Sequence, residues 1–275
     1  MRIGFDAKRL FNNVSGLGNY ARNLVKVLDK FKQHEELVLY SPKSSKQFEQ
    51  FESDFETHFP KLLKPFWRQF GIVRQLESDK IDIYHGLSAE LPYFKNDSIG
   101  KIVTIHDVIF DRYPDYYSYF DRLIYRQKTK SAINQADKVV AISEVTKSDL
   151  IELYGMPPDK CVVIPVICDS FFTEKSNKGT ICSVQSKYSI RGKFIFCLSK
   201  FEKRKNQLRL VKAFHKVQAK LGVVLVLAGG KGDLLDEVQN YIAKNDLDDY
   251  VQVIISPTNE EIKALYYSCE HFVFP

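Results

Sequence analysis

The sequence predicts an α/β chain of two parallel-sheet domains, and three observations carry that prediction. Short apolar runs alternate with segments of helical periodicity along the chain. One run, Val223-Val224-Leu225-Val226-Leu227-Ala228, is apolar at each position, as in a strand covered by helices on both faces. Polar, cationic and glycine residues recur just after the runs, in His85-Gly86, His106-Asp107, Ser199–Asn206 and Gly229–Gly232. That is the strand edge at which open α/β sheets bind ligands.

Taken in order, Arg2–Ala7 reads as the first strand, followed by a polar loop, Lys8–Ser15. The helix from Tyr20 onward has its apolar stripe at Leu24, Val25, Val27 and Leu28. Leu37–Tyr40 is the second strand, ended by Ser41-Pro42. Between Lys43 and Lys80, scattered aromatics with breaks at Pro60 and Pro65 imply a short helix, a strand near Thr57–Phe59 and a helix from Phe66 to about Glu77. Strands at Ile81–Gly86 and Lys101–Asp107 precede a long helix, Tyr116–Ala136, and a strand, Lys138–Ser143. Ser143 and Gly155 cap the helix Glu144–Tyr154, and Lys160–Val166 is a further strand. The polar stretch Lys175–Lys187, with Gly179, marks the boundary between domains spanning 1–180 and 188–275. In the second domain, strands at Phe194–Leu198, Val223–Ala228, Val251–Ile255 and Phe272–Phe274 alternate with helices at Gln207–Lys220, Leu234–Asn245 and Glu260–Cys269. No helix follows the last strand, so the second sheet is expected to be incomplete.

Composition narrows the class. A length of 275 residues with 44% hydrophobic and 27% charged residues suits about two soluble domains of roughly 150 residues each. No apolar run approaches the roughly 20 residues that span a bilayer, and Asp6 sits where a signal peptide needs its apolar core. The five cysteines include no Cys-x-x-Cys pair and read as reduced thiols, so a cytoplasmic location is expected. The net charge of +6 is spread among acidic residues, which argues against a nucleic-acid partner and leaves attraction to a membrane surface open.

Four groups of residues could carry chemistry. Gly16-x-Gly18-x-x-Ala21 fits a loose dinucleotide fingerprint, but Lys8–Ser15 separates it from the first strand and no acid ends the second. A nicotinamide-dependent oxidoreductase is therefore disfavoured, and a flexible glycine loop near a phosphate or sugar fits better. His106-Asp107 and His85 end strands, where a histidine could accept a proton or bind a hydroxyl. By itself each histidine fits a bond to a backbone carbonyl more simply. Lys200, Lys203, Arg204 and Lys205 lie between a buried strand and a helix N-terminus, a setting suited to a diphosphate but also to a solvated turn. Gly229-Gly230-Lys231-Gly232 permits close backbone approach, to a ligand or within a tight turn. No histidine or carboxylate spacing implies a metal site.

An ordered set of motifs then resembles a known family. Ser15-Gly16-Leu17-Gly18-Asn19-Tyr20, Thr104-Ile105-His106-Asp107, Ala141-Ile142-Ser143-Glu144, Lys203-Arg204-Lys205-Asn206 and the tail from Asp249 through Phe274-Pro275 follow the order seen in glycosyltransferase family 4. The resemblance implies a GT-B fold, two Rossmann-like parallel-sheet domains facing a cleft that closes for reaction. It implies retaining transfer of a sugar from a nucleotide-diphosphate-sugar donor to a saccharide or lipid-linked acceptor, without a metal. His106 resembles the family's active-site histidine. Arg204 and Lys205, with Lys200 beside them, resemble the cations that hold the departing diphosphate, and Gly16 and Gly18 would approach the donor phosphates. His85 and Asp107 are candidates for acceptor or sugar contact. Peripheral contact with the inner face of the membrane is also expected.

The chain departs from the family at Ser199, where glycine is usual, and at Val166-Ile167-Cys168-Asp169 after the interdomain strand. The family's Glu-x7-Glu motif would begin just past Pro275, so the sequence reads as a fragment or truncated gene with little activity alone. A non-catalytic subunit completed by a partner chain is the alternative.

Overall fold

The computed structural model describes residues 1–45, 48–60, 67–95 and 98–275. The expected break at Pro65 and helix start at Phe66 lie outside the described residues. The chain divides into two compact units, Met1–Asp169 and Ser170–Pro275.

The first unit is built on a seven-stranded sheet with strands β1 (Arg2–Asp6), β2 (Glu36–Tyr40), β3 (Glu56–His58), β4 (Ile83–Gly86), β5 (Gly100–Ile105), β6 (Lys138–Ala141) and β7 (Cys161–Val163). Their order is β3-β2-β1-β4-β5-β6-β7 and each pairing is parallel. The order reverses between β1 and β4, which makes the carboxyl ends of those strands the topological switch point. The period of two along each strand sorts the side chains onto two faces. Phe5, Leu37 and Leu39 pack with Ala21 and Val25 of the helix Gly16–Phe31. Val38, Tyr40 and Tyr84 pack on the other face with Trp67, Ile72, Ala132 and Ile133.

The second unit carries β8 (Phe194–Leu198), β9 (Val224–Gly229), β10 (Val251–Ile255) and β11 (His271–Phe272), parallel and in the order β10-β9-β8-β11. Here the switch falls between β8 and β11. Cys197, Leu225 and Leu227 face a core with Val211, Val238 and Ile242, whereas Phe194, Phe196, Val226 and Ala228 face one with Val184, Ala264 and Leu265. Helices thus cover both faces of each sheet, as the apolar Val223–Ala228 run requires.

Three expectations are corrected. Lys8–Asn12 is helical rather than a loop, because Leu10 and Phe11 on it are buried. The expected linker at Lys175–Lys187 is largely the helix Lys178–Lys187, capped by the Asn177 side chain on Thr180 N–H and anchored by Val184. The helix expected over Gln207–Lys220 is two, Gln207–His215 and Gln218–Leu221. Among the described residues no helix is long and apolar enough to cross a membrane.

Candidate active site

In the first unit the polar groups gather where β4 and β5 end. His106 follows β5, its Nε2 lying 3.0 Å from the Leu87 carbonyl oxygen. A carbonyl only accepts, so Nε2 carries the proton and Nδ1 keeps its lone pair. Burial lowers the His106 pKa; the bond to Leu87 and the charge of Asp107 oppose that effect only in part. The ring is therefore neutral near pH 7, with one acceptor nitrogen available. Its position is fixed on two further sides. Thr146 Oγ1 donates to the His106 carbonyl at 2.9 Å. The Tyr20 ring meets the imidazole edge-on, with centroids 4.6 Å apart at 87°.

Tyr20 is held in turn. Its hydroxyl lies 3.2 Å from Thr104 Oγ1, and His85 Nε2 lies 2.9 Å from the same oxygen. His85 is itself buried, and burial pushes its pKa down to about 4. It sits beneath the strand ends as a neutral support for Thr104. Asp107 is exposed, and its Oδ1 accepts from the Ile109 backbone N–H at 3.3 Å, which closes the turn after β5.

The glycines have distinct roles. Both occupy the first turn of the helix Gly16–Phe31, not a flexible loop. A Cβ at Gly16 would meet nothing within 4 Å, whereas one at Gly18 would lie 1.7 Å from the Asn13 carbonyl oxygen. Gly18 thus lets the helix press against the preceding turn, which Arg22 braces by donating to Leu10 and Asn13 carbonyls at 2.6 and 3.0 Å. The N-terminus of this helix carries a partial positive charge, although the Gly18 N–H already donates to Asn13 Oδ1 at 3.3 Å.

In the second unit the basic turn leaves β8, the switch strand. Phe201, fully buried, pins it to the core, a contribution of about 1.5–3 kcal/mol. Gln207, at the start of the next helix, donates through Nε2 to Ser199 Oγ and to the Lys200 carbonyl, both at 2.7 Å. Ser199 therefore holds the turn in shape through its hydroxyl. Glu202 sits amid the cations, with Lys200 Nζ 2.8 Å from one oxygen and an Arg204 nitrogen 2.9 Å from the other. Burial alone would raise the Glu202 pKa, but Lys200 and Arg204 outweigh it and keep the carboxylate charged. Lys205 Nζ lies 4.9 Å from the centre of the Phe274 ring. Asn206 takes a left-handed conformation, φ 59°, and turns the chain into the helix Gln207–His215.

Gly229–Gly232 supports this turn. A Cβ at Gly229 would lie 1.9 Å from the Ser199 carbonyl oxygen, and one at Gly232 would lie 2.1 Å from that of Phe201. Here the close backbone approach is to the basic turn. Tyr20, Thr104, Glu202 and Gln207 were not singled out from the sequence. A signal existed for Glu202, a lone acid inside a cationic run, and Tyr20 and Thr104 stood inside the motifs quoted above. Among the described residues, no group of three or more His, Cys, Asp or Glu is placed to hold a metal ion.

Comparison with known proteins matches this architecture. Residues 14–169 match Glycosyltransferase Family 4 and residues 185–275 match Glycosyl transferases group 1. The chain belongs to glycosyltransferase family 4 and is a sugar-transferring enzyme. It is 24% identical to the O-antigen chain mannosyltransferase B of Escherichia coli, covering 100% of this chain and 76% of the relative. The fold is shared with HepE of Anabaena, solved with UDP and glucose, at a TM-score of 0.71 and 14% identity over 100% of this chain and 74% of that one. Sucrose-phosphate synthase of Thermosynechococcus elongatus gives a TM-score of 0.75 at 13% identity, over 100% of this chain and 75% of that one. These are GT-B glycosyltransferases.

Proposed function

We propose that the donor is a nucleotide-diphosphate-sugar whose diphosphate is held by Lys200, Arg204 and Lys205, and that the sugar passes with retention to a saccharide or lipid-linked acceptor. The observation that carries this reading is the basic turn itself. It leaves the switch strand, is anchored by Phe201 and Gln207, and has two of its cations oriented by Glu202. Glycosidic cleavage leaves negative charge on the departing diphosphate, and cations already in position stabilise that charge without reorganisation. In this reading the cations and helix N-termini do so without a metal ion. His106 accepts a hydrogen bond from a sugar hydroxyl through Nδ1, and the helix N-terminus at Gly16 and Gly18 gives the first unit an end that favours anionic groups. UDP-glucose, solved in complex with HepE of Anabaena, supports the assignment of the ligand class.

Calorimetric titration with UDP, GDP and ADP tests the turn. Hydrogen bonds to charged groups contribute about 1.5–3 kcal/mol each, so Arg204→Ala with Lys205→Ala should weaken binding by about a hundredfold or more. Unchanged affinity would sink the assignment.

Peripheral membrane contact belongs to the same reading. The helix Tyr119–Gln135 exposes Tyr119, Phe120, Leu123 and Ile124 beside the exposed Arg126 and Lys130. Aromatic rings with flanking cations suit the headgroup region of an anionic bilayer. Co-sedimentation with phosphatidylglycerol vesicles should fall when Phe120 and Leu123 are both replaced by serine. Equal sedimentation of the variant would remove this surface from consideration.

A further inference from the structure

A second group of polar residues in the first unit lies outside the site described above. It lines a recess on the face of the sheet opposite the helix Gly16–Phe31. Asp6 ends β1, Tyr84 lies on β4, Arg68 on the π-helical turn Trp67–Gly71, Glu90 in the segment after β4, and Lys128 projects from the helix Tyr119–Gln135. Their charges alternate. Arg68 Nε donates to Asp6 Oδ1 at 3.1 Å, the same guanidinium pairs with Glu90, and Lys128 pairs with Glu90 from the other side. Only 3% of the Asp6 side chain and 14% of that of Arg68 are exposed.

This chemistry selects the ligand. Two cations are already matched by two carboxylates, so an incoming anion would meet Asp6 and Glu90 as well as Arg68 and Lys128. A neutral polyhydroxylated molecule fits better, because each hydroxyl can donate to a carboxylate while accepting from a guanidinium or ammonium group. Tyr84 adds a phenol that stays protonated, because burial, and then the charge of Asp6, push its pKa up. The recess has a volume of about 40 Å³, room for about three water-sized groups at roughly 10–15 Å³ each. That admits hydroxyls but not a whole sugar ring. At the mouth stands Tyr93, 47% exposed and stacked on Phe70 with centroids 5.1 Å apart at 15°. A flat, braced aromatic face attracts the polarised C–H face of a pyranose through its negative π-surface.

We propose that this recess is a saccharide subsite, which takes one pyranose with its ring on Tyr93 and vicinal hydroxyls in the Asp6–Arg68–Glu90–Lys128 network. As a subsite for the acceptor, it rests on the transfer reading above. It places acceptor recognition on the first unit's own polar network, with the ring face and hydroxyls read by different groups.

Saturation-transfer difference NMR on the whole chain tests it, with methyl α-D-mannopyranoside and methyl α-D-glucopyranoside as probes. Saturation should reach the ring protons of at least one probe. The signal should fall several-fold in Tyr93→Ala, persist in Tyr93→Phe, which keeps the ring face, and persist in Tyr113→Ala, an exposed tyrosine elsewhere in the unit. Tyr93 is 47% exposed, and the bond of 2.8 Å from its backbone N–H to the Gln69 carbonyl does not involve the ring, so both variants are expected to fold. No transfer to either probe, equal transfer in Tyr93→Ala, or displacement of the sugar by inorganic phosphate would overturn the proposal. Nucleoside diphosphate titration of the same samples separates the two readings. Tyr93-dependent sugar binding with no diphosphate binding removes the donor assignment alone, and the converse removes the saccharide subsite alone.

Discussion

At the scale of single residues, the histidines divide the work. His106 keeps an acceptor nitrogen because the Leu87 carbonyl accepts from the N–H of the other, while His85 is buried to hold Thr104. The His85 arrangement has a thermodynamic signature. An unfolded chain protonates this residue near pH 6.5, whereas the folded chain does so only at about 4. Between those values the unfolded state binds the extra proton, so stability falls as pH falls through the window. The full window is worth about 3 kcal/mol, and the loss ceases below pH 4, where both states are protonated. Urea unfolding followed at pH 7 and pH 4.5 by the emission of Trp67 should show this loss for the first unit. His85→Gln keeps a side-chain amide near Thr104 but cannot titrate, so its loss between the two pH values should be smaller by about 2 kcal/mol. An identical loss in the variant would show that His85 protonates as readily folded as unfolded. For His106, ¹⁵N NMR should find the Nε2–H tautomer and a titration midpoint below the ordinary histidine value. An Nδ1–H tautomer would reverse the proposed hydrogen bond to the sugar.

At the scale of elements, two glycines in one helical turn should respond in opposite ways to the same substitution. Gly16→Ala places a methyl group in open space and removes backbone freedom from the unfolded chain, so it should stabilise by about 0.4–1 kcal/mol. Gly18→Ala places that methyl group 1.7 Å from a backbone oxygen, so the helix or the Asn13 turn must move, at a cost of about 1–3 kcal/mol or more. Urea midpoints for the two variants should move apart, and parallel shifts would refute the packing role. This pair also marks what was legible in the sequence. The alternation of apolar runs and helical stripes located each of the principal strands, because a parallel strand between two helical layers admits few polar residues. The basic turn was legible because its cations are contiguous. The glycine pattern was legible but its setting was not: it forms the first turn of a helix rather than a flexible loop, and spacing alone does not reveal the Asn13 contact that Gly18 permits. Leu10 and Phe11, the buried pair that makes Lys8–Asn12 helical, lay hidden in a polar stretch. The roles of Tyr20, Thr104 and Gln207 were not legible for a related reason, since each acts through partners that only the fold brings near.

At the scale of the molecule, each hydrophobic core draws its residues from one unit: Val38 and Phe5 belong to the two cores of the first, Cys197 and Phe194 to the two cores of the second. Cooperative unfolding follows the core, so each unit should have its own transition. Trp67 is the only tryptophan of the chain and lies in the first unit, so its emission reports that unit, whereas far-ultraviolet circular dichroism reports both. The proposed ligands should then separate the two signals. A nucleoside diphosphate at a hundred times its dissociation constant stabilises the state that binds it by about 2.7 kcal/mol. With a urea dependence of about 1–3 kcal/mol per molar, the second unit's transition should move up by roughly 1 M or more, while the Trp67 curve stays in place. A saturating methyl glycoside in the Tyr93 recess should do the reverse, moving the Trp67 curve alone. Equal shifts of both curves with either ligand would mean that the two cores melt as one cooperative body, and that binding to one unit is transmitted to the other. Independent shifts would mean that each unit carries its own recognition, so that transfer depends on bringing two separately loaded surfaces together.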